Sequence, residues 1–346
     1  MKIKRTILLA STCLVLASCV RERESVRTYQ LRFSEGLAPI MQDGKWGYIN
    51  SSGGIMIQPH FDRVQLFSEG LAQVRFRGSW QYIDLRGRVV LSRSGGSFRD
   101  GLAASRDHRL CWGFMDPSGS LKIATQYELV KDFYEERAAV KATNGLWGYV
   151  DTNGQTVVDM KHQTTWGFHE GLASCGIAGD ITYINRGGEV EIDLPDEMTR
   201  GLAFSEGMAL ISIGQKNGYI SRDGTVVIQP DEKYSYWHWF SDGLAGIHVG
   251  DKWGYCNTSG ETIIEPRFDE IQSFSEGLAS VREGKAWGFI DKTGRYVIPP
   301  KFDYAFSFSE SRTCVIIEST MGYINRDGDW IWEPTDFVTD WKDPFD

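Results

Sequence analysis

The chain has 346 residues carrying 37 basic and 46 acidic side chains, a formal net charge of −9, with 41% hydrophobic and 13% aromatic residues. An acidic balance with charges of both signs scattered through the chain argues against nucleic acid and against anionic lipid headgroups as partners. No pair of carboxylates, nucleophile–base set or phosphate loop stands at a recognisable spacing, so the sequence predicts no catalytic residues and no cofactor.

In chain order the first element is a signal segment. Met1-Lys2-Ile3-Lys4-Arg5 precedes an apolar run from Ile7 to Leu16, followed by Leu16-Ala17-Ser18-Cys19. A basic start, an apolar stretch too short to span a bilayer as a mature helix, and small residues before a cysteine describe a cleavable export signal. The Leu-Ala-Ser-Cys sequence resembles the lipobox of bacterial lipoproteins, which implies lipidation of Cys19, cleavage after residue 18 and a stable membrane anchor through several acyl chains. Val20 in place of Asp resembles lipoproteins sorted to an outer membrane, where the host has one. Removing residues 1–18 takes away Lys2, Lys4 and Arg5 and no acid, leaving 34 basic and 46 acidic groups, a net of −12. The expected localisation is the bacterial cell envelope. Residues 19–32 read as a tether, 33–337 as nine repeats and 338–346 as a tail or cap.

The repeats begin with Phe33, Phe67, Phe98, Phe133, Phe168, Phe204, Phe240, Phe274 and Phe308, about 34 residues apart. Each runs close to F-S-E-G-L-A-x-V, a short turn, W-G-Y-I-D/N-x-x-G, then x-V-V-I-x-P and F-D. Leu-Ala opens a first strand. In Trp46-Gly47-Tyr48-Ile49 the two rings share one face of a second strand, and the missing side chain of Gly47 admits a neighbour. The turn Asn50–Gly53 recurs nine times with Asp, Asn or Ser first and Gly fourth, fitting a tight turn. A short β-branched third strand is stopped in several copies by Pro59, Pro230, Pro266, Pro299 or Pro334. Such a three-stranded unit is too small to bury its own aromatics, so neighbouring repeats must do so. Carboxylates such as Glu35, Glu69, Glu206 and Glu276 recur at equivalent positions and read as turn acceptors. No turn offers the oxygen ligands calcium needs.

These residues resemble the WG-repeat family of bacterial proteins, with the closest copies at 43–53, 251–260 and 284–294. The resemblance implies an array that binds or scaffolds, with no catalytic chemistry in the repeat. Departures occur at Trp80-Gln81-Tyr82, Ile181-Thr182-Tyr183, Asn217-Gly218-Tyr219 and Met321-Gly322-Tyr323, and at Glu136-Arg137 in place of Gly-Leu. The expected fold is all-β, an open solenoid or superhelix of nine three-stranded repeats; the alternative is a closed propeller-like ring. Nine units exceed the usual four to eight blades and favour the open form.

Cys111, Cys175, Cys256 and Cys314 fall in repeats three, five, seven and nine, too far apart to bridge if repeats touch only their neighbours. His60, His108, His162, His169, His238 and His248 occupy unrelated repeat positions; His162 and His169 form the nearest exposed-looking pair but lack a third ligand, so no metal site is expected. The strongest asymmetric feature is Tyr234-Ser235-Tyr236-Trp237-His238-Trp239-Phe240. Its aromatic residues Tyr234, Tyr236, Trp237 and Trp239, with His238, are the candidate binding surface. The expected function is a non-catalytic envelope lipoprotein that binds or scaffolds another protein. The alternative, recognition of cell-wall or other glycans through exposed aromatics, turns on whether the repeat tryptophans are exposed.

Overall fold

The computed structural model describes residues 31–177, 180–232 and 239–334. The three strands of each repeat form an antiparallel sheet, to which in six cases the end of the preceding repeat adds an edge strand, and nine sheets follow one another along the chain. In the first, β1 (Leu37–Gln42) and β2 (Lys45–Asn50) pair in unbroken register, Leu37 opposite Asn50 and Gln42 opposite Lys45, and β3 (Ile55–Phe61) adds to β2. The second sheet starts with a two-residue strand, β4 (Arg63–Val64), ahead of β5 (Leu71–Phe76), β6 (Ser79–Asp84) and β7 (Val89–Leu91). Six sheets have this four-stranded order, and three are three-stranded among the described residues. Every sheet thus has two ends. The F-S-E-G and N-x-x-G turns share one, here called the turn end, because the first strand begins opposite the residue where the second strand stops. The hairpin joining those two strands marks the other, the hairpin end.

The glycine of W-G-Y has a specific cause. Trp46 pairs with Phe61 while Tyr48 pairs with Ile57, so two positions on β2 face four on β3 and the third strand bulges across Gly47. A Cβ there would lie 2.7 Å from the Pro59 nitrogen and 2.9 Å from the Gln58 carbonyl carbon. The same overlap recurs at Gly148, Gly218, Gly254 and Gly288. Where the sequence places Thr182 instead, the third strand makes no such excursion: Thr182 and Tyr183 pair with the consecutive residues Asp193 and Ile192. The neighbour that glycine admits is therefore its own sheet's third strand.

Sheets are joined by the aromatics. The ring at the third W-G-Y position meets the opening Phe of the next repeat edge to face, from Tyr48–Phe67 at 4.9 Å through Phe114–Phe133 at 4.7 Å to Phe289–Phe308 at 4.9 Å. The tyrosine hydroxyls donate forward to a backbone carbonyl bonded into the next sheet, Tyr48 to Gln65 at 2.6 Å and Tyr255 to Gln272 at 2.7 Å. Burial of these rings pushes the phenols above their ordinary pKa. Each fully buried ring contributes roughly 1.5–3 kcal/mol, which a lone three-stranded unit could not obtain.

The expected open array is corrected by the seam between the ninth repeat and the first. Tyr323 meets Phe33 at 5.4 Å and donates to the Pro39 carbonyl at 2.8 Å. Ser309 Oγ donates to the Phe33 carbonyl at 2.9 Å, and the Gly36 amide to Glu310 at 2.9 Å. One core cluster unites Phe33, Ala38 and Ile40 with Val315 and Ile324. The chain is a closed ring of nine blades. The blade count usual for other propellers is not a steric limit; closure depends on the rotation between neighbours, and nine steps fixed by the same aromatic contact bring Tyr323 back onto Phe33.

Candidate functional site

At the turn end a circle of nine polar bonds runs round the ring. The third residue of the opening turn is an acid in every repeat, followed by glycine in seven of them and by Glu136 or Ser311 in the other two, and it sits in the left-handed region, Glu35 at φ 55° for example. That conformation turns its carboxylate toward the following blade, where it accepts from a turn amide: Glu35 from Gly70, Glu69 from Gly101, Asp100 from Glu136, Glu135 from Gly171 and Glu170 from Gly207. The circle continues with Glu206 to Gly243, Asp242 to Gly277, Glu276 to Ser311 and Glu310 to Gly36. The recurrent carboxylates are turn acceptors, and the turn they cap belongs to the next repeat.

The serine beside each acid forms a second circle that is incomplete. Ser34, Ser68, Ser205, Ser241, Ser275 and Ser309 donate to the opening Phe carbonyl of the following blade at 2.6–2.9 Å. Blades three, four and five carry Arg99, Tyr134 and His169 at that position. The three side chains stack across consecutive blades: the Arg99 guanidinium carbon lies 4.8 Å from the Tyr134 ring centre, and the Tyr134 and His169 rings are 5.2 Å apart and inclined by 33°. Arg99 and Tyr134 are half-buried and His169 is exposed. Asp132 approaches Arg99 at 3.9 Å. Burial raises the Asp132 carboxyl pKa against the pull of Arg99, and burial lowers that of the His169 imidazole against Glu135 and Glu170. In the same blades but away from the turn end, Lys131 Nζ donates to the Thr165 carbonyl at 2.9 Å and sits between the rings of Trp147 and Trp166 at 5.5 and 5.3 Å. A cation–ring–imidazole stack with flanking carboxylates is equipped to recognise a planar or charged group. It contains no assembled nucleophile and base.

Of the residues singled out from sequence, Tyr234, Tyr236, Trp237 and His238 lie outside the described residues, as does Cys19. Trp239 is described and is 47% exposed, immediately before Phe240. The repeat tryptophans are held in the blades: Trp46, Trp112, Trp147 and Trp253 are half-buried and Trp287 fully buried. His162 and His169 are not an exposed pair, because His162 is only 3% exposed. Cys111, Cys175, Cys256 and Cys314 are free thiols, one to a blade. The Arg99–Tyr134–His169 stack went unnoticed in sequence, although its signal was present as the loss of serine after the opening Phe in three successive repeats.

Nine short-stranded antiparallel blades in a closed ring, with a broken symmetry at one end, define a β-propeller. A family profile described as WG containing repeat matches residues 31–46, 46–80, 112–147, 147–174, 218–253, 253–285 and 287–318, and the chain belongs to this family. Among solved structures it is similar to one described as the eukaryotic initiation factor, at a TM-score of 0.60 and 10% identity over 84% of this chain and 93% of that one. A more distant likeness is to BamB from Moraxella catarrhalis, at a TM-score of 0.41 and 10% identity over 86% and 96% of the two chains. The first likeness concerns the fold alone, and the second is too remote to carry an argument. No curated protein matches the chain.

Proposed function

We propose that this propeller is a non-catalytic protein-binding or scaffolding module whose partner docks at the turn end over Arg99, Tyr134 and His169. The observation that carries the reading is the division of labour among equivalent positions. The carboxylates are bonded blade to blade all the way round, whereas the serine circle gives way to large, partly exposed side chains in three adjacent blades. Giving up three interblade hydrogen bonds, each about 0.5–1.5 kcal/mol, points to a use other than holding the ring. The Leu-Ala-Ser-Cys sequence supports a lipid anchor at Cys19 and an envelope location, with the ring displayed beyond a short tether. The W-G-Y tryptophans are half-buried or buried in the blades, so among the described residues the exposed tryptophans open to glycan stacking are Trp239 and Trp330.

The test restores the symmetry. Arg99→Ser, Tyr134→Ser and His169→Ser combined should keep or raise Tm, because serine has a carbonyl to bond at that position in six other blades, and should abolish capture of a protein partner from lightly cross-linked envelopes. Unchanged capture by a folded triple variant would overturn the reading.

A further inference from the structure

The opposite, hairpin end carries a charge pattern at odds with the rest of the chain. Residues 61–112, which span the second blade and part of the third, contain nine arginines, no lysine and five carboxylates, a net of +4 in a chain whose net is −9, so the remaining residues carry −13. Five of these arginines lie at the hairpin end. Arg63 stands directly across from Arg75 on paired strands, Arg77 occupies the β5–β6 hairpin, and Arg106 and Arg109 flank the corresponding hairpin of the third blade. Arg63, Arg77, Arg106 and Arg109 are exposed and Arg75 is half-buried.

The cluster is ordered largely from within, and of its five arginines Arg109 alone has a carboxylate within ion-pair distance among the described residues, Asp107 at 3.1 Å. The Arg77 guanidinium carbon lies 5.0 Å from the Phe76 ring centre, and that of Arg106 lies 5.3 Å from the Trp112 ring centre. Arg75 and Arg106 each donate Nε to a hairpin carbonyl, of Gly78 at 3.2 Å and Leu110 at 3.0 Å. Of the nearby acids, Asp62 is committed elsewhere, accepting from Lys45 and the Gly78 amide, while Asp107 accepts from the Arg109 and Cys111 amides and from Thr125 and pairs with the Arg109 guanidinium. Like charges directly opposite on paired strands are unfavourable, and Arg63 and Arg75 keep that arrangement. Guanidinium groups held against aromatic rings present their planar edges outward in the geometry that matches carboxylates.

We propose that this arginine surface at the hairpin end of the second and third blades docks an acidic segment of a partner polypeptide. It lies at the other end of the sheets from the Arg99–Tyr134–His169 stack and does not depend on that site, so a ring using both would join two proteins.

The test measures anisotropy of a fluorescein-labelled peptide of glutamates interleaved with glycines on the full-length chain, at about 0.05 M and about 0.3 M salt. Combined Arg63→Gln, Arg77→Gln and Arg109→Gln should weaken binding about tenfold at the lower salt, midway in what three exposed carboxylate–guanidinium pairs supply. A charge-matched control at the turn end, Arg186→Gln, Lys292→Gln and Arg295→Gln, should leave the affinity within about twofold. The serine-restoring triple variant should also leave it unchanged, which keeps failure here separate from failure at the other site. Equal weakening by both glutamine sets would overturn the proposal. So would tighter binding of phosphatidylglycerol vesicles or duplex DNA than of the peptide, or self-association of the chain that dissolves in the Arg63, Arg77, Arg109 variant.

Discussion

Replacing Gly254 by Ala adds one methyl at the point where the third strand of the seventh blade crosses the second. That methyl would stand 2.7 Å from the Pro266 nitrogen and 2.9 Å from the Glu265 carbonyl carbon, with the Ile264 carbonyl oxygen closer still. These are backbone atoms inside a bulge and cannot rotate away as a side chain would. Overpacking of this kind costs about 1–3 kcal/mol, and the upper half applies where backbone must move. Alanine recovers about 0.4–1 kcal/mol by restricting the unfolded chain, which leaves a net loss of about 2 kcal/mol. Gly284 provides a contrast: it has φ +65° and open space where a Cβ would point, so Gly284→Ala should cost about 1 kcal/mol from backbone strain alone. Urea unfolding of both variants, with amide exchange to localise the effect, decides the matter. Losses confined to the Thr262–Phe268 strand and its partner are expected for Gly254→Ala. A Gly254→Ala protein as stable as the parent would refute the account of why this motif contains glycine.

Two further substitutions probe other parts of the ring. His162 lies opposite Trp147 where other blades place Phe61, Phe268 or Phe302 opposite their tryptophan, and neither of its ring nitrogens has a partner; His162→Phe should raise stability by about 1 kcal/mol in denaturant unfolding. Burial, then the neighbouring Lys161, lowers the His162 pKa below its ordinary 6.5. The unfolded chain therefore binds the extra proton first, stability falls as pH drops below about 6.5, and the Phe variant should lose less across that window. Tyr323→Phe at the closing seam and Tyr255→Phe at an internal seam each leave a carbonyl without its donor and should cost a similar 1–3 kcal/mol. A measurable cost for Tyr255→Phe with none for Tyr323→Phe would mean that the ring is open in solution.

The repeat, its strands and its turns were legible in sequence because each is dictated within one unit: Leu-Ala opens a strand, Trp-Gly-Tyr alternates, and Asn50 caps its own turn by accepting from Ser52 and Gly54. Closure was not legible, because Tyr323 and Phe33 are far apart in the chain and the rotation that unites them is a sum over nine interfaces. The carboxylates were half legible. Their role as acceptors followed from recurrence, but that Glu35 reaches Gly70 rather than its own turn depends on a left-handed backbone at Glu35 itself. For the candidate site, attention to histidine as a metal ligand concealed His169 as one step of a stack, and treating charge as evenly scattered concealed the arginines of residues 61–112. The aromatic segment around Tyr236 and Trp237 lies outside the described residues, and Trp239 at its edge is exposed.

The complete circle of carboxylate-to-amide bonds ties the number of repeats to the geometry of each one. An open array can gain or lose a unit by duplication or deletion within its gene, since every remaining interface is untouched. In a closed circle the same event leaves one acid without an amide and one aromatic ring without its Phe unless all the other interfaces rotate to compensate. Copy number in this chain is therefore inherited as a whole, and evolutionary change is channelled into single residues such as Arg99, Tyr134 and His169, which can be exchanged while the count stays fixed.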